Sequence, residues 1–521
     1  MNLRIEDMTL EQKIGMVLCA RRFEEKEDID FTLELIKKRA LACVQVPFTM
    51  PEMVKLIKET ADYPILIIND MERGFPTSDL PSIPLVSLSA AGKKEYFRAF
   101  AKGVVRDAKK AGYCGTWNPV LDILRANGPC SVSRKASDDP MKVAELAAEI
   151  AMVYKENNFL ACGKHYPGGE EGGVDSHMRE GSSGVTEEGL INFDLVPYKY
   201  LMDRGLLTSI MTRHGLYRNI DPERPASLSK KVIDIIKNMG FDGLIFTDSL
   251  AMMGVLQKFG EENTYGMAVA AGNDIILTNY RTPTKKCYEM LMQNYLDGLF
   301  TEERLNEAVS HVLKAQEYIS TEPENPTEFT AEDEQMLYDL AKDCITAITD
   351  EGLDASIPGK NEEKLFVILT ENSGVNEAAQ QEITDNTWYF PHKIANKIKE
   401  TFPGAGIEYL VEFPDGAQNE YILNEATKYK EVVFITFCKT GAYYGTDGLT
   451  RRAECVINSL AYSGKISAVV HFGNPFAMRK IEHVPRRIFG YHIPESQIHA
   501  IDVLAGKLEA KGKLPFEIEF E

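Results

Sequence analysis

The densest run of reactive side chains is G-K-H-Y-P-G-G-E-E-G-G-V-D-S-H, residues 163–177. Lys164 and His165 close an apolar stretch, Gly168, Gly169, Gly172 and Gly173 follow, and the run ends on Asp175, Ser176 and His177. Four glycines in so short a span predict a mobile loop. An aspartate two residues before a histidine can accept its ring N–H, fix the tautomer and favour the protonated form. A histidine oriented in that way on a movable loop is a candidate acid/base. Titratable residues also step directly out of other apolar runs: Asp70, Asp122, His214 and Asp248. One such residue alone reads as a strand-end cap. Several together read as a site, because a parallel barrel gathers its reactive groups at the C-terminal ends of its strands.

The elements that must carry these residues are short Val/Ile-rich runs alternating with amphipathic stretches. The runs cover residues 42–48, 64–70, 115–122, 159–166, 206–214, 243–248 and 274–278. They are too continuous for one exposed face and predict buried parallel strands. The clearest helix lies over 229–240, with Val232, Ile235, Ile236 and Met239 on one face, Ser229 as N-cap and Gly240 as the C-terminal glycine. About eight such units before residue 310 predict an α/β fold, an N-terminal (β/α)8 TIM-type barrel. Residues 321–335 then hold six acids, two prolines and no Lys or Arg, the composition of a linker. A helix follows, with Leu337, Leu340, Ala341, Cys344, Ile345 and Ile348 on one face. Strands predicted at 365–369, 407–413, 432–437, 466–472 and 487–492 make a smaller C-terminal α/β domain with an open, mostly parallel sheet. The expected organisation is a catalytic barrel over 1–320, an acidic linker and helix over 321–350, and a C-terminal α/β sandwich domain over 351–521.

Several function classes are excluded. The chain has 521 residues, with 58 Lys and Arg against 78 Asp and Glu, a net charge of −20. That balance argues against nucleic acid as a partner. No run reaches the length of a membrane span. The charged start M-N-L-R-I-E-D-M lacks an apolar targeting core, so the expectation is a cytoplasmic protein without membrane association. Nine cysteines, scattered and mostly within apolar runs, read as reduced thiols. Gly404 and Gly406 precede a strand, and Gly441, Gly445 and Gly448 lack the dinucleotide spacing. The oligomeric state is not readable.

The 163–177 run resembles glycoside hydrolase family 3, specifically its β-N-acetylglucosaminidase (β-hexosaminidase) branch, where K-H-F-P-G-H-G leads to D-S-H. The spacing of thirteen from Lys164 to His177 is the same. Further blocks follow in family order: T-L-E-Q-K-I-G (9–15), I-N-D-M-E-R-G (68–74), N-P-V-L-D (118–122), S-R-K-A-S-D-D-P (133–140), M-T-R-H (211–214), P-A-S-L-S (225–229), F-T-D-S-L-A-M (246–252), A-G-N-D-I-I-L (271–277) and K-G-K-L-P (511–515). The resemblance implies a retaining glycosidase that removes terminal β-N-acetylglucosamine from cell-wall fragments or chito-oligosaccharides. It implies Asp248 as nucleophile forming a glycosyl-enzyme, and His177 with Asp175 as the acid/base dyad. It implies Asp70, Arg134, Lys164 and His165 as residues that hold sugar hydroxyls, and Met211 and His214 as pocket lining. Neither metal nor organic cofactor is expected; the partner is a small carbohydrate.

The chain departs from the family pattern at five places, one of them the added loop acids Glu170 and Glu171. Gly169 stands for a second loop histidine, Ser78 for an arginine, Arg73-Gly74 for paired glycines, and Met178 for the proline after D-S-H. Two alternatives use the same residues. One is a β-N-acetylglucosaminide phosphorylase, since imidazole repels incoming phosphate less than a carboxylate does. The other is a catalytically inactive sugar-binding homologue.

Overall fold

The apolar runs form parallel strands, but the paired segments are shorter than the runs. The computed structural model describes residues 4–125, 129–169, 175, 177–371, 389–438 and 448–520. Residues 170–174 and Ser176, the middle of the loop expected to be mobile, lie outside the described residues, as do Gly441 and Gly445.

The first compact unit comprises Met1–Leu80, Lys94–Gly128 and Lys135–Glu334. Its described strands are β1 (Leu18–Ala20), β2 (Cys43–Val44), β3 (Leu66–Asn69), β4 (Gly115–Thr116), β5 (Leu160–Tyr166), β6 (Gly181–Ser183), β7 (Ser209–Thr212), β8 (Gly215–Tyr217), β9 (Asp221–Pro225), β10 (Leu244–Thr247) and β11 (Ile276–Leu277). Eight of them pair in the order β10-β7-β5-β4-β3-β2-β1-β11. All pairings in that sheet are parallel. A parallel bridge from Phe246 to Ile275 joins the two ends. The result is a closed eight-stranded barrel, with no free edge.

The first barrel strand is a correction. β1 follows directly on the helix Leu10–Gly15. Its three residues are too few to stand out as a run of their own. In the helix Lys230–Asn238, the Ser229 hydroxyl accepts the Val232 N–H, and Val232, Ile233, Ile235 and Ile236 are buried. Such a cap contributes on the order of 1 kcal/mol. Gly240 follows with a positive φ of 98°, a conformation that favours glycine. At the same end of the barrel, where its strands begin, buried Asp274 accepts the Ile245 N–H at 2.9 Å and pairs with Arg304 at 2.7 Å and His311 at 2.9 Å. That pairing ties the start of β11 to the helix Glu302–Ser320.

β6, β8 and β9 form a separate three-stranded sheet in the order β6-β8-β9. β8 begins immediately after His214, and β6 pairs with it through Gly181 and Gly215. This small sheet anchors the far end of the loop that leaves β5.

The second compact unit comprises Pro81–Lys93, Pro129–Arg134 and Gln335–Glu521. It thus begins before residue 351 and draws in two segments from before residue 320. Its described strands are β12 (Thr346–Thr349), β13 (Lys364–Thr370), β14 (Gly406–Val411), β15 (Glu431–Cys438), β16 (Ile466–Gly473) and β17 (Arg486–Phe489), in the order β12-β17-β16-β15-β13-β14. Only β12 runs antiparallel in this sheet. β12 is the second correction: the helix is Ala331–Asp343, and Ile345 and Ile348 do not extend it. Thr346-Ala-Ile-Thr349 is rich in β-branched residues and pairs with β17 instead. Cys19, Cys43, Cys114, Cys162, Cys287, Cys344, Cys438 and Cys455 are free thiols. Among the described residues no helix is long and apolar enough to cross a membrane.

Candidate active site

The strand order places the titratable residues on one rim. Asp70 follows β3, Asp122 lies beyond β4, Lys164 and His165 are in the last turn of β5, His214 lies just beyond β7, and Asp248 follows β10. All are at C-terminal strand ends, where the loops converge in a parallel barrel.

Lys164 is the hub of one charged group. Its ammonium is almost wholly buried, donates to Asp70 and pairs with Glu72 at 2.5 Å. The Asp70 side chain is 52% exposed, so this carboxylate also faces outward. A lysine taken out of water in this way requires such carboxylate partners. In the sequence Glu72 falls within I-N-D-M-E-R-G without a role of its own. An acid two residues past a strand-end acid is the one signal that marks it.

His165 belongs to a second pair. Its Nδ1 lies 2.7 Å from Asp122 Oδ2, and its backbone N–H donates to Asp122 Oδ1 at 3.2 Å. Burial alone raises the Asp122 pKa, but His165, Arg213 and Lys135 hold it well below the ordinary carboxylate range. Met211, in β7, is buried and sits in register with Lys164 on one side and Phe246 on the other.

Asp248 stands partly open to solvent. Its Oδ1 accepts the Ser249 N–H at 2.6 Å, and its own N–H donates to Thr212 O at 2.8 Å. Burial pushes its pKa up. The imidazoles of His165 and His214, the Ser249 N–H and Lys164 outweigh this and lower it to about 2. The carboxylate is therefore ionised at neutral pH.

His214 sits differently from a pocket-lining residue. It is fully buried, with Nδ1 2.7 Å from Ser227 Oγ and Nε2 2.9 Å from Ser249 O. A carbonyl only accepts, so Nε2 carries the hydrogen. Both ring nitrogens serve the protein, and burial lowers the pKa against the pull of Asp248. The expectation that His214 lines the sugar pocket gives way to a buttress for the residue after Asp248.

His177 Nδ1 lies 2.8 Å from Asp175 Oδ1, which also accepts the His177 N–H at 2.9 Å. The His177 side chain is 32% exposed. Met253 N–H donates to His177 O at 3.4 Å, bringing the loop to the helix that follows Asp248. The loop leaves β5 through Gly168 and Gly169, both at positive φ. Gly169 N–H donates to Asp194, which pairs with Arg125 at 2.5 Å. A Cβ at Gly169 would come within 3.1 Å of Leu190 and 3.3 Å of Tyr217. Positive φ and crowding together favour glycine at this position. Ser78, at the other departure, braces its own loop by donating to Asp107.

Arg134 belongs to the second compact unit, where it closes the 3-10 helix Pro129–Arg134. Among the described residues no group of three His, Cys, Asp or Glu is arranged to hold a metal ion.

A family model, the Glycosyl hydrolase family 3 N terminal domain, matches residues 44–315. The chain belongs to glycosyl hydrolase family 3. Among curated relatives in the family, a beta-hexosaminidase of Tolumonas auensis is 30% identical over 43% of this chain and 69% of its own length. A beta-hexosaminidase of Shewanella frigidimarina is 36% identical over 30% of this chain, and the match spans 47% of that relative. The chain thus spans about half the length of several curated relatives that it matches. A family 3 beta-N-acetylglucosaminidase from Paenibacillus superposes with a TM-score of 0.79 at 22% identity, covering 99% of this chain and 100% of that one. A beta-glucoside phosphorylase superposes with the same TM-score of 0.79 at 18% identity, covering 98% and 95%. At these identities the likeness is one of fold.

Proposed function

We propose that this family 3 chain is a retaining exo-β-N-acetylglucosaminidase. The observation that carries the reading is an ionised, partly exposed Asp248 at a strand end, together with a His177 oriented by Asp175 and joined through its carbonyl to Met253, five residues past Asp248. An ionised carboxylate can attack the anomeric carbon while an imidazolium protonates the departing oxygen. Asp248 then holds the sugar as an ester. His177, now neutral, takes a proton from water, whose oxygen attacks the same carbon and releases Asp248. Asp175 occupies Nδ1, so Nε2 is the nitrogen that exchanges the proton.

Asp70, Lys164 and His165 hold sugar hydroxyls by charge-assisted hydrogen bonds. Glu72 and Asp122 orient Lys164 and His165, and Met211 contributes apolar lining. Arg134 completes the sugar-binding set by resemblance alone. The relatives named beta-hexosaminidase support a terminal N-acetylhexosamine; N-acetylglucosamine from cell-wall fragments or chito-oligosaccharides is proposed on the resemblance of the motifs. The imidazole acid/base favours one second reading, transfer of the glycosyl group to phosphate instead of water.

The test is a panel of nitrophenyl β-glycosides with and without phosphate. The expected result is release of free N-acetylglucosamine at a rate independent of phosphate, abolished in Asp248→Asn. Formation of N-acetylglucosamine-1-phosphate only when phosphate is present would convert the assignment to a phosphorylase. No turnover of any glycoside under either condition would overturn both and leave the inactive sugar-binding homologue.

A further inference from the structure

A chain of hydrogen bonds runs along the rim from Ser249 to the backbone of Asp70, and Arg21 is its centre. Arg21 follows β1. Its Nε donates to Gln45 Oε1 at 2.5 Å, just past β2. Its Nη1 donates to Ser249 Oγ at 2.5 Å and to Thr278 O at 2.9 Å, beyond β10 and β11. The guanidinium also lies 5.4 Å from the centre of the Tyr280 ring. Gln45 passes the chain on, donating to Asn69 Oδ1 at 2.9 Å, and the same oxygen accepts the Asp70 N–H at 2.9 Å.

Ser249 is the residue through which this reaches the chemistry. Its N–H donates to Asp248, its hydroxyl accepts from Arg21, and its carbonyl accepts from His214 Nε2. Arg21 and His214 thus both hold one residue, whose N–H in turn orients the Asp248 carboxylate. Arginine suits the task because its planar fork can address several acceptors at once, which a lysine ammonium on a flexible stem cannot do with the same geometry.

We infer that Arg21 is a positioning residue for Asp248, acting through Ser249 and tying the nucleophile's strand end to those of β1, β2 and β11. This rests on the reading of Asp248 as nucleophile. Small displacements of a reacting group cost up to about a hundredfold in rate. Arg21→Met, which keeps the stem and removes the fork, is expected to lower kcat on a nitrophenyl β-N-acetylglucosaminide by about 10- to 100-fold with KM within about twofold. Ser249→Ala is expected to act in the same direction. The double variant is expected to be no slower than the slower single one, because both break the same link. Arg21→Lys is expected to recover part of the loss.

Additive losses, an unchanged kcat, or a raised KM at unchanged kcat would each overturn the inference, the last by making Arg21 a direct sugar ligand. Wild-type turnover that is lost in Asp248→Asn keeps the underlying reading intact, so failure of Arg21 alone remains distinguishable. A second measurement needs no turnover. In histidine-labelled protein, the His214 ring resonances, assigned with His214→Gln, are expected to shift or broaden in Arg21→Met because Ser249 O moves. Unchanged His214 resonances in a folded Arg21→Met would overturn the inference whatever the activity.

Discussion

Two histidines at the barrel mouth have the same first partner, an aspartate against Nδ1, at 2.7 Å for His165 and 2.8 Å for His177. They differ in what holds the pair. His165 and Asp122 come from two neighbouring strand ends 43 residues apart, and both side chains are nearly buried, at 13% and 11%. His177 and Asp175 are two residues apart on one loop, and His177 is 32% exposed. The distance within a pair therefore does not specify its role. A pair clamped between strands can hold a ligand in one orientation. A pair two residues apart keeps its tautomer without a partner from another strand, which suits a group that gives and later takes a proton.

The largest expected effect separates the pairs by leaving group. His177→Ala is expected to slow cleavage of an unactivated N-acetylglucosamine disaccharide by about 10²- to 10⁴-fold. The loss on a nitrophenyl glycoside is expected to be much smaller, since that leaving group needs little protonation. His165→Ala is expected to slow both substrates equally, because it removes binding and not proton transfer. Steady-state kinetics on both substrates checks this; equal losses for His177→Ala would dissolve the distinction.

The next effect is on stability. Asp122→Ala leaves His165 and its surroundings without the charge that balances them in a buried site, and is expected to cost about 3 kcal/mol or more. Asp175→Ala removes the partner of a more exposed histidine within a loop and is expected to cost no more than about 1 kcal/mol. Urea unfolding of the two variants compares them. Similar losses would mean that the loop pair is as much a part of the fold as the strand pair.

The same contrast explains what the sequence made legible. Asp70, Asp122, Lys164, His165 and Asp248 each interrupt an apolar run, so their position at strand ends could be read directly. His177 and Asp175 were readable because their pairing is local. Arg21 and Glu72 were not. β1 is only three residues long, and the Arg21–Ser249 bond closes across 228 positions. A contact of that range depends on barrel closure, which no local pattern records. His214 too ends an apolar run, so the sequence alone does not separate it from a pocket-lining residue; its burial and its two hydrogen bonds, to Ser227 and Ser249, are long-range contacts. Likewise the periodicity of Leu337 to Ile348 continued past the helix end, because residues of one buried face can belong first to a helix and then to a strand.

The smallest expected effect concerns acid. The Asp122 carboxyl is held below its ordinary range by His165, and that of Asp248 is lowered to about 2 by its imidazole neighbours, Ser249 and Lys164. A carboxyl with a depressed folded-state pKa contributes stability that is fully present above the unfolded value of about 3.9. That contribution is lost as pH falls toward the folded value. The Asp248 contribution should therefore vanish between about pH 4 and pH 2, and it amounts to no more than about 2.6 kcal/mol. That of Asp122 should persist further into acid, since its strand-clamped histidine stays beside it. Unfolding free energies measured from pH 5 downward are expected to fall less steeply in Asp248→Asn than in the wild type over that window. Parallel curves would mean that the ionised carboxylate at the strand end is no better stabilised in the folded chain than in the unfolded one. The site would then lack the preorganised charge on which Asp248 depends as a nucleophile.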